Sequence, residues 1–569
     1  MMGESIGRLC IVLHGHLPYV LHHGSEPHGE AWLFEAAAET YLPLLELLNE
    51  AAQNGIRPGL TIGFTPVLLE QLSHPRFLDG FVHYLHERIE RAEADARDFT
   101  AATDSRSAGL ARRWAAFYQT TLSLFEKIKR DLPGQFAAKQ RDGLIQILTS
   151  AATHAYLPLL LNDQMIRAQL SCGTQASRRH LGTTSSGIWL PECAYRPATD
   201  RWAPAALYGE PRSRIGLETL IASAGLDHFF VDTHSLANAT PMGTIEAEGF
   251  RSVYEAQLHW DHDSRGWHSP LEPVGVVSTP RSADCFAFAR HPGASRQVWS
   301  GTIGYPAAGE YLEFHRKHGD RGLRYHKVTS RTTPLGEKQA YEPADVAGKI
   351  FEHAQHFCSV IRTALAQYQK QTGRRGTVVA PFDAELFGHW WFEGPRFLRD
   401  VIFTLAQDPT IELSTTQNCL TQQPPDKMMR LPESSWGLNG DHSVWLNDQT
   451  RWMWEMEYRA EGRLLRSLHE LPWKTMPKVR QMLERSARQL LLMQASDWPF
   501  IVHSGAATDY AIKRFGGHAT RFDRMMEIAQ NASAAGGAGD GMGELERVQI
   551  AEADAHDDVF ANIDLEWWK

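Results

Sequence analysis

Three short segments of this sequence concentrate side chains that can move protons or attack a bond. WLPECAYRP at 189–197 places Glu192 directly after an apolar run. A carboxylate there is partly buried and oriented by its neighbours. Arg196 is placed to pair with it and keep it ionised, as a nucleophile requires. A strand-end ion pair between Glu192 and Arg196 is the purely structural alternative. APFDAELFGHWWFEGP at 380–395 puts Asp383 at the end of a second apolar run, followed by Glu385, His389, Trp390 and Trp391. Beside apolar rings a carboxyl is poorly solvated, so its pKa rises and it can donate a proton. Two carboxyl groups in unequal surroundings are what glycoside hydrolysis needs. Glu385 competes with Asp383, because alternation along a strand puts both on one side.

HGHLPY at 14–19 has three readings. His14 and His16 at a strand end suit a metal pair, with His154 and an aspartate such as Asp383 completing the set. Neutral imidazoles also hydrogen-bond sugar hydroxyls, and buried histidines are often purely structural. ESSWGLNGDHSVWLND at 433–448 holds Trp436 and Trp445, nine residues apart. On one helix they would face opposite ways. The Gly-Leu-Asn-Gly between them predicts a loop, in which both rings can line one cleft. ASDWPF at 495–500 adds Asp497 and Trp498. The chain carries 17 Trp and 27 His. A single Trp is more often packing than platform, but as a set flat apolar rings suit the C–H faces of pyranoses.

These groups need strands to position them. LCIVLHGH, LTIGF, LIQILTSAATHAY, GIWLPE, HFFVDTH, CFAFAR and TVVAPFDAELFG are apolar runs ending in polar residues, and IELST at 411–415 is a candidate last strand. Continuous apolar runs are buried on both faces. With helices between them they predict βα units and a parallel sheet, in an α/β class TIM-like barrel with its functional groups at the strands' C-terminal ends. A doubly wound sheet is disfavoured, since no GxGxxG follows the first strand. The expected division is a catalytic barrel over 1–414, interrupted by a helical insertion at 70–145 and a loop insertion at 233–283. A C-terminal helical domain at 415–530 and a flexible linker with a docking tail at 531–569 follow. Phe81, Tyr84, Leu85, Ile89 and Ala92 mark one apolar helix face in the first insertion. Val479, Met482, Leu483, Ala487, Leu490 and Leu491 mark another near the C-terminus.

Bulk properties narrow the class. The 569 residues exceed one ordinary core, and the net charge of −10 argues against nucleic acid as the main partner. Cys10, Cys172, Cys193, Cys285, Cys358 and Cys419 form no CxxC pair, which predicts free thiols in a reducing compartment. The N-terminus has no signal-peptide pattern, and no apolar run is long enough to span a membrane. A cytoplasmic location, as a monomer or small homo-oligomer, is the expectation.

In order along the chain, HGHLPY, GFTPVL, WLPECAYRP, APFDAELFGHWWFEGP and SDWPF resemble the motifs of glycoside hydrolase family 57. SRQVWSGTIGYP at 295–306, SSWGLNGDHSVW at 434–445 and the terminal VFANIDLEWW are similar to those of its 1,4-α-glucan branching enzymes. The resemblance implies an incomplete (β/α)7 barrel, a helical C-terminal domain and a retaining mechanism without metal or other cofactor. It implies Glu192 as nucleophile and Asp383 as general acid/base, with an α-1,4-glucan such as amylose or a glycogen-like polymer as substrate. It further implies Trp32, Trp299, Trp436 and Trp445 along the glucan cleft and His14, His16, His154 and Asp497 near the cleaved sugar. Arg296, Trp391 and Trp498, in the same motifs, are further candidate sugar contacts. The family's branching enzymes carry a tyrosine on a loop after the strand matching HFFVDTH. Here no Tyr lies in 235–253, and Tyr254 is the candidate, with Trp260 and Trp267 further on. The alternatives are an α-amylase or 4-α-glucanotransferase of the same family, a glucan-binding protein with little turnover, and a metal-dependent hydrolase built on the HxH pair.

Overall fold

The computed structural model describes residues 5–25, 28–203, 211–245, 258–259, 268–278, 285–301, 303–536 and 543–569. Each apolar run forms a strand: β1 Gly7–Gly15, β2 Leu60–Phe64, β3 Ile145–Ser150, β4 Ile188–Trp189, β5 His228–Val231, β6 Phe286–Ala289, β7 Gly376–Asp383 and β8 Ile411–Leu413. Parallel pairing runs β7-β1-β2-β3-β4. A parallel bridge between Gly187 and His228 carries it to β5, and β5 pairs with β6. Among the described residues no ladder joins β6 to β7. The His291 amide donates to the Val379 carbonyl there at 2.9 Å. The barrel is therefore open at one seam, with seven strands around it. β8 lies beside the first three residues of the β1 ladder, while β2 takes the last four.

Alternation sorts the side chains. Leu9, Ile11 and Leu13 face the surrounding helices, in the main core. Cys10 and Val12 face inward, with Leu148, Trp189, Phe230, Phe288 and Val379. This is the period-2 pattern of a filled barrel. Continuing the inward series past Cys10 and Val12 gives His14, and past Val379 gives Asp383. The chemistry thus sits at the C-terminal rim because the same alternation that fills the barrel aims the next residues above it. Cys419 and Leu420, from helix Thr416–Gln422, close the opposite end. That helix docks through polar bonds: Gln146 Oε1 accepts from Thr416 Oγ1 and the Gln417 amide, both at 2.9 Å.

The first insertion folds as helices Pro75–Ala101, Ser105–Lys127 and Leu132–Arg141. Its predicted face is buried at Phe81, Tyr84, Leu85 and Ala92. Asp104 and Asp131 accept amide bonds at the second and third N-termini, which supports these helix starts. The segment expected as a loop at 233–283 contains strands Thr240–Ile245, Leu258–His259 and Val274–Val276. With Lys427–Arg430 they extend the sheet outward from β6. Tyr254, Trp260 and Trp267 lie outside the described residues. Towards the C-terminus, helices Arg451–Glu470, Pro477–Met493, Asp497–Ser504 and Thr508–Ala534 pack together, and all six marked positions of the second are buried. The last of these helices runs four residues into the segment expected as linker.

The terminal segment is tied down by one carboxylate. Asp557 is fully buried. It accepts from His23 Nε2 of the barrel at 2.9 Å, Gln489 Nε2 at 2.9 Å and Arg521 Nε at 2.7 Å. Burial pushes its carboxyl up, but the surrounding positive charge and donors outweigh that and hold it well below the usual carboxylate range. A depressed pKa stabilises the fold fully above the unfolded value near 4, and that contribution is lost as pH falls. Asp557→Ala is expected to cost about 3 kcal/mol at pH 7, because it leaves buried donors and a guanidinium unpaired. Denaturant titration checks this, and the gap to wild type should shrink below pH 4.

Candidate active site

A cavity of about 420 Å3 opens at the rim, lined by His14, His16, Trp32, His154, Glu192, Trp299, Asp383, Trp436 and Asp497, all expected from the sequence. Leu17, Pro18, Glu385, Leu386, His389, Trp390, Phe500 and Ile501 complete it.

Glu192 ends the β4 motif in a conformation few non-glycine residues adopt, with φ 61° and ψ 22°. His154, beyond β3, has φ 58°. Left-handed backbone at such residues costs about 1–3 kcal/mol and persists only where the surroundings enforce it. Here two residues do so, each bonding both backbone and side chain. The Trp436 amide donates to the Glu192 carbonyl at 3.0 Å and Trp436 Nε1 to Glu192 Oε2 at 2.8 Å. The Ser496 amide donates to the His154 carbonyl at 3.1 Å, while its hydroxyl lies 2.9 Å from His154 Nδ1 and 3.1 Å from Glu192 Oε1.

These contacts fix a proton order when Glu192 is ionised. The carboxylate only accepts, so Ser496 Oγ donates to it and accepts from His154 Nδ1. His154 Nε2 is then the acceptor for His14 Nε2, 3.0 Å away. That leaves His14 Nδ1 unprotonated, and this buried atom has no hydrogen-bond partner among the described residues. Both rings are held neutral, with pKa values well below normal, by burial and then by the charge of His16. His16 is the charged member. Burial pulls its pKa down, but Asp497 outweighs burial through its charge and a bond at 3.0 Å.

The two carboxyls differ in their donors. Burial pushes Glu192 up to about 7, against the lowering effect of Trp436 and Ser496. Asp383 is pushed well above its ordinary value, by burial first and then by the negative charges of Glu385 and Glu192. No described side chain donates to it. Glu385 also lines the cavity, but Tyr41 Oη and the His16 amide donate to its Oε1. That leaves Asp383 as the freer acid. Gly388 allows this turn: its φ is +131°, and a Cβ there would lie 1.8 Å from the Glu39 carbonyl.

Several expected contacts fall elsewhere. Arg196 does not pair with Glu192; it turns to the other side of the segment, where Asp163 lies 3.6 Å away. Trp445 is 1% exposed and packs against Tyr156, with ring centroids 4.4 Å apart and the rings tilted by 31°. Trp391 packs into the core against Phe397, whereas Trp390 lines the cavity and is 51% exposed. Trp498 is buried under Arg514 and donates to the Leu492 carbonyl. Arg296 is exposed on helix Pro292–Trp299 and does not line the cavity. Ser496 was missed, although it directly precedes Asp497 in ASDWPF. His16, His154 and Asp497 offer the grouping among the described residues that could hold a metal. Their nitrogens, however, already bond Asp497, His14 and Ser496.

A hydrogen bond to a charged group is worth about 1.5 kcal/mol or more, which is about one pKa unit. Ser496→Ala should therefore move the acid limb of the pH–activity profile about one unit towards higher pH. Ser496→Thr, which keeps the donor, should leave that limb in place.

Comparison with known proteins identifies the family. The model of glycosyl hydrolase family 57 matches residues 10–283, and that of the 1,4-alpha-glucan branching enzyme C-terminal domain matches residues 457–568. A 1,4-alpha-glucan branching enzyme of Thermococcus kodakarensis is 36% identical over 520 residues, covering 91% of this chain and 73% of that protein. A branching enzyme structure from Pyrococcus horikoshii matches with a TM-score of 0.87 at 33% identity, over 99% of this chain and 97% of that one. An alpha-amylase structure from Thermotoga maritima matches with a TM-score of 0.80 at 26% identity, over 99% of both chains. The chain belongs to glycosyl hydrolase family 57.

Proposed function

We propose that this protein is a 1,4-α-glucan branching enzyme that cleaves α-1,4 links with retention and re-forms them as α-1,6 branches. The observation that carries the reading is the pair of half-buried carboxyls facing one Trp-lined cavity with opposite hydrogen bonding. Glu192, held by two donors, is the group that ionises and attacks the anomeric carbon. Asp383, without a described donor and beside two other carboxyls, keeps its proton and delivers it to the leaving oxygen. A 6-hydroxyl of a second glucan then opens the covalent glucosyl-enzyme, with Asp383 taking back a proton as base. The indoles of Trp32, Trp299, Trp390 and Trp436 offer sugar faces and keep water from the intermediate. A glycogen-like polymer in the cytoplasm is the natural setting we assign, in keeping with six free cysteines. No helix of the described chain is long and apolar enough to cross a membrane.

An α-glucan hydrolase is the second reading, favoured by the likeness to the Thermotoga maritima alpha-amylase. Incubation with amylose, followed by debranching and chain-length analysis, separates the two. New α-1,6 links are expected, and Glu192→Ala or Asp383→Ala should reduce their rate by about 10³-fold or more. Reducing ends without branches would instead establish the hydrolase. Unchanged amylose would leave a glucan-binding protein.

A further inference from the structure

A second cavity, of about 170 Å3, lies on the helical insertion, away from the catalytic rim. Phe117 of helix Ser105–Lys127 and Phe392 form its apolar wall, with ring centroids 5.6 Å apart. Glu393 forms its floor and is 1% exposed. Its Oε1 accepts from the Leu312 amide at 3.1 Å and from Tyr341 Oη at 2.7 Å. Its Oε2 is buried with no hydrogen-bond partner among the described residues. Arg113 and Arg396 stand exposed at the mouth. That oxygen is covered by its neighbours, and a small shift at the cavity wall that let a donor reach it would relieve the cost of leaving it unpaired. Apolar ring faces beside a carboxyl and two guanidinium forks suit a pyranose, whose C–H face stacks while its neighbouring hydroxyls both donate and accept. The volume is on the scale of one sugar ring rather than a chain. The position also fits: Trp390, in the catalytic cavity, is only two residues from Phe392, so one segment of chain presents rings to both sites.

We propose that this cavity is a second carbohydrate site, which holds one glucosyl unit of a long glucan while another part of the polymer occupies the catalytic cleft. The proposal rests on the glucan reading of the active site. It makes two contacts from one polymer, so it raises affinity for long glucans and leaves short ones unaffected.

The test compares wild type with an Arg113→Ala/Arg396→Ala double variant and with Phe117→Ala. Glycogen in a native gel reads binding, and KM for amylose and for maltoheptaose reads use of the site. Retardation by glycogen should weaken about fivefold and KM for amylose rise by a similar factor, with kcat and the maltoheptaose KM unchanged. Both arginines are exposed, so the double variant carries the test even where Phe117→Ala unfolds. Wild-type retardation and amylose KM in a folded double variant would overturn the second site while leaving the proposed function intact. A wild type that neither branches nor cleaves amylose would overturn the proposed function instead. Retardation that still depended on Arg113 and Arg396 would then support the site alone.

Discussion

Everything at the catalytic rim depends on holding two residues in backbone conformations they would not choose. Glu192 and His154 both have positive φ, and neither is a glycine. The barrel strands end just before them and cannot enforce that geometry. Trp436 and Ser496 do, each binding a carbonyl through its amide and a side chain through its own polar atom. A single hydrogen bond is worth about 1 kcal/mol net, too little to offset such strain, but a pair on one rigid partner is enough. The strain also aims the Glu192 carboxyl into the cavity instead of along the strand.

The second constraint is electrostatic. Glu192, Asp383 and Glu385 are crowded into one poorly hydrated space, and they cannot all ionise there. Hydrogen-bond donors decide the order. Glu192 has two from side chains, Glu385 has Tyr41 and a backbone amide, and Asp383 has none among the described residues. His16 is the cation that balances the cluster, and Asp497 holds it in place. His14 and His154 stay neutral beside it and serve as a fixed chain of donors and acceptors. One charged and two neutral imidazoles within stacking distance form a graded arrangement, set by which ring meets a carboxylate.

Much of this was legible in the sequence. Continuous apolar runs identified the strands, and polar residues at their ends identified the rim, because the period of a strand is fixed by its geometry. Glu192, Asp383, His14, His16 and His154 could be found that way. Arg296 and Trp498 stand on helices, on faces that the cavity does not reach, and the rest of what failed lay outside regular elements. Arg196 is four residues from Glu192, but a tight turn between them sends it to Asp163. Trp390 and Trp391 are adjacent, and nothing in composition says which one faces the cavity. Trp445 sits in a loop without periodicity and packs against Tyr156 instead of lining the cavity. Ser496 carries no signal of its own, since serine is common and its importance comes from a contact with a residue more than 300 positions away. Positive φ at Glu192 and His154 is invisible for the same reason: residue type argues against it, and only tertiary bonds impose it.

The dependence of Glu192 and His154 on Trp436 and Ser496 has a consequence in time. A ribosome releases the chain from its N-terminus, and Asp383 emerges well before Ser496. At roughly 5–20 residues per second, the interval is about 6–20 s. Throughout it strands β1 to β7 and both carboxyls exist, but Ser496 does not, and Trp436 joins them only about halfway through. A nascent barrel is thus chemically idle although its reactive groups are already made. Under the proposed mechanism, activity waits for Ser496, and an arrested chain that ends before it has no fully oriented nucleophile.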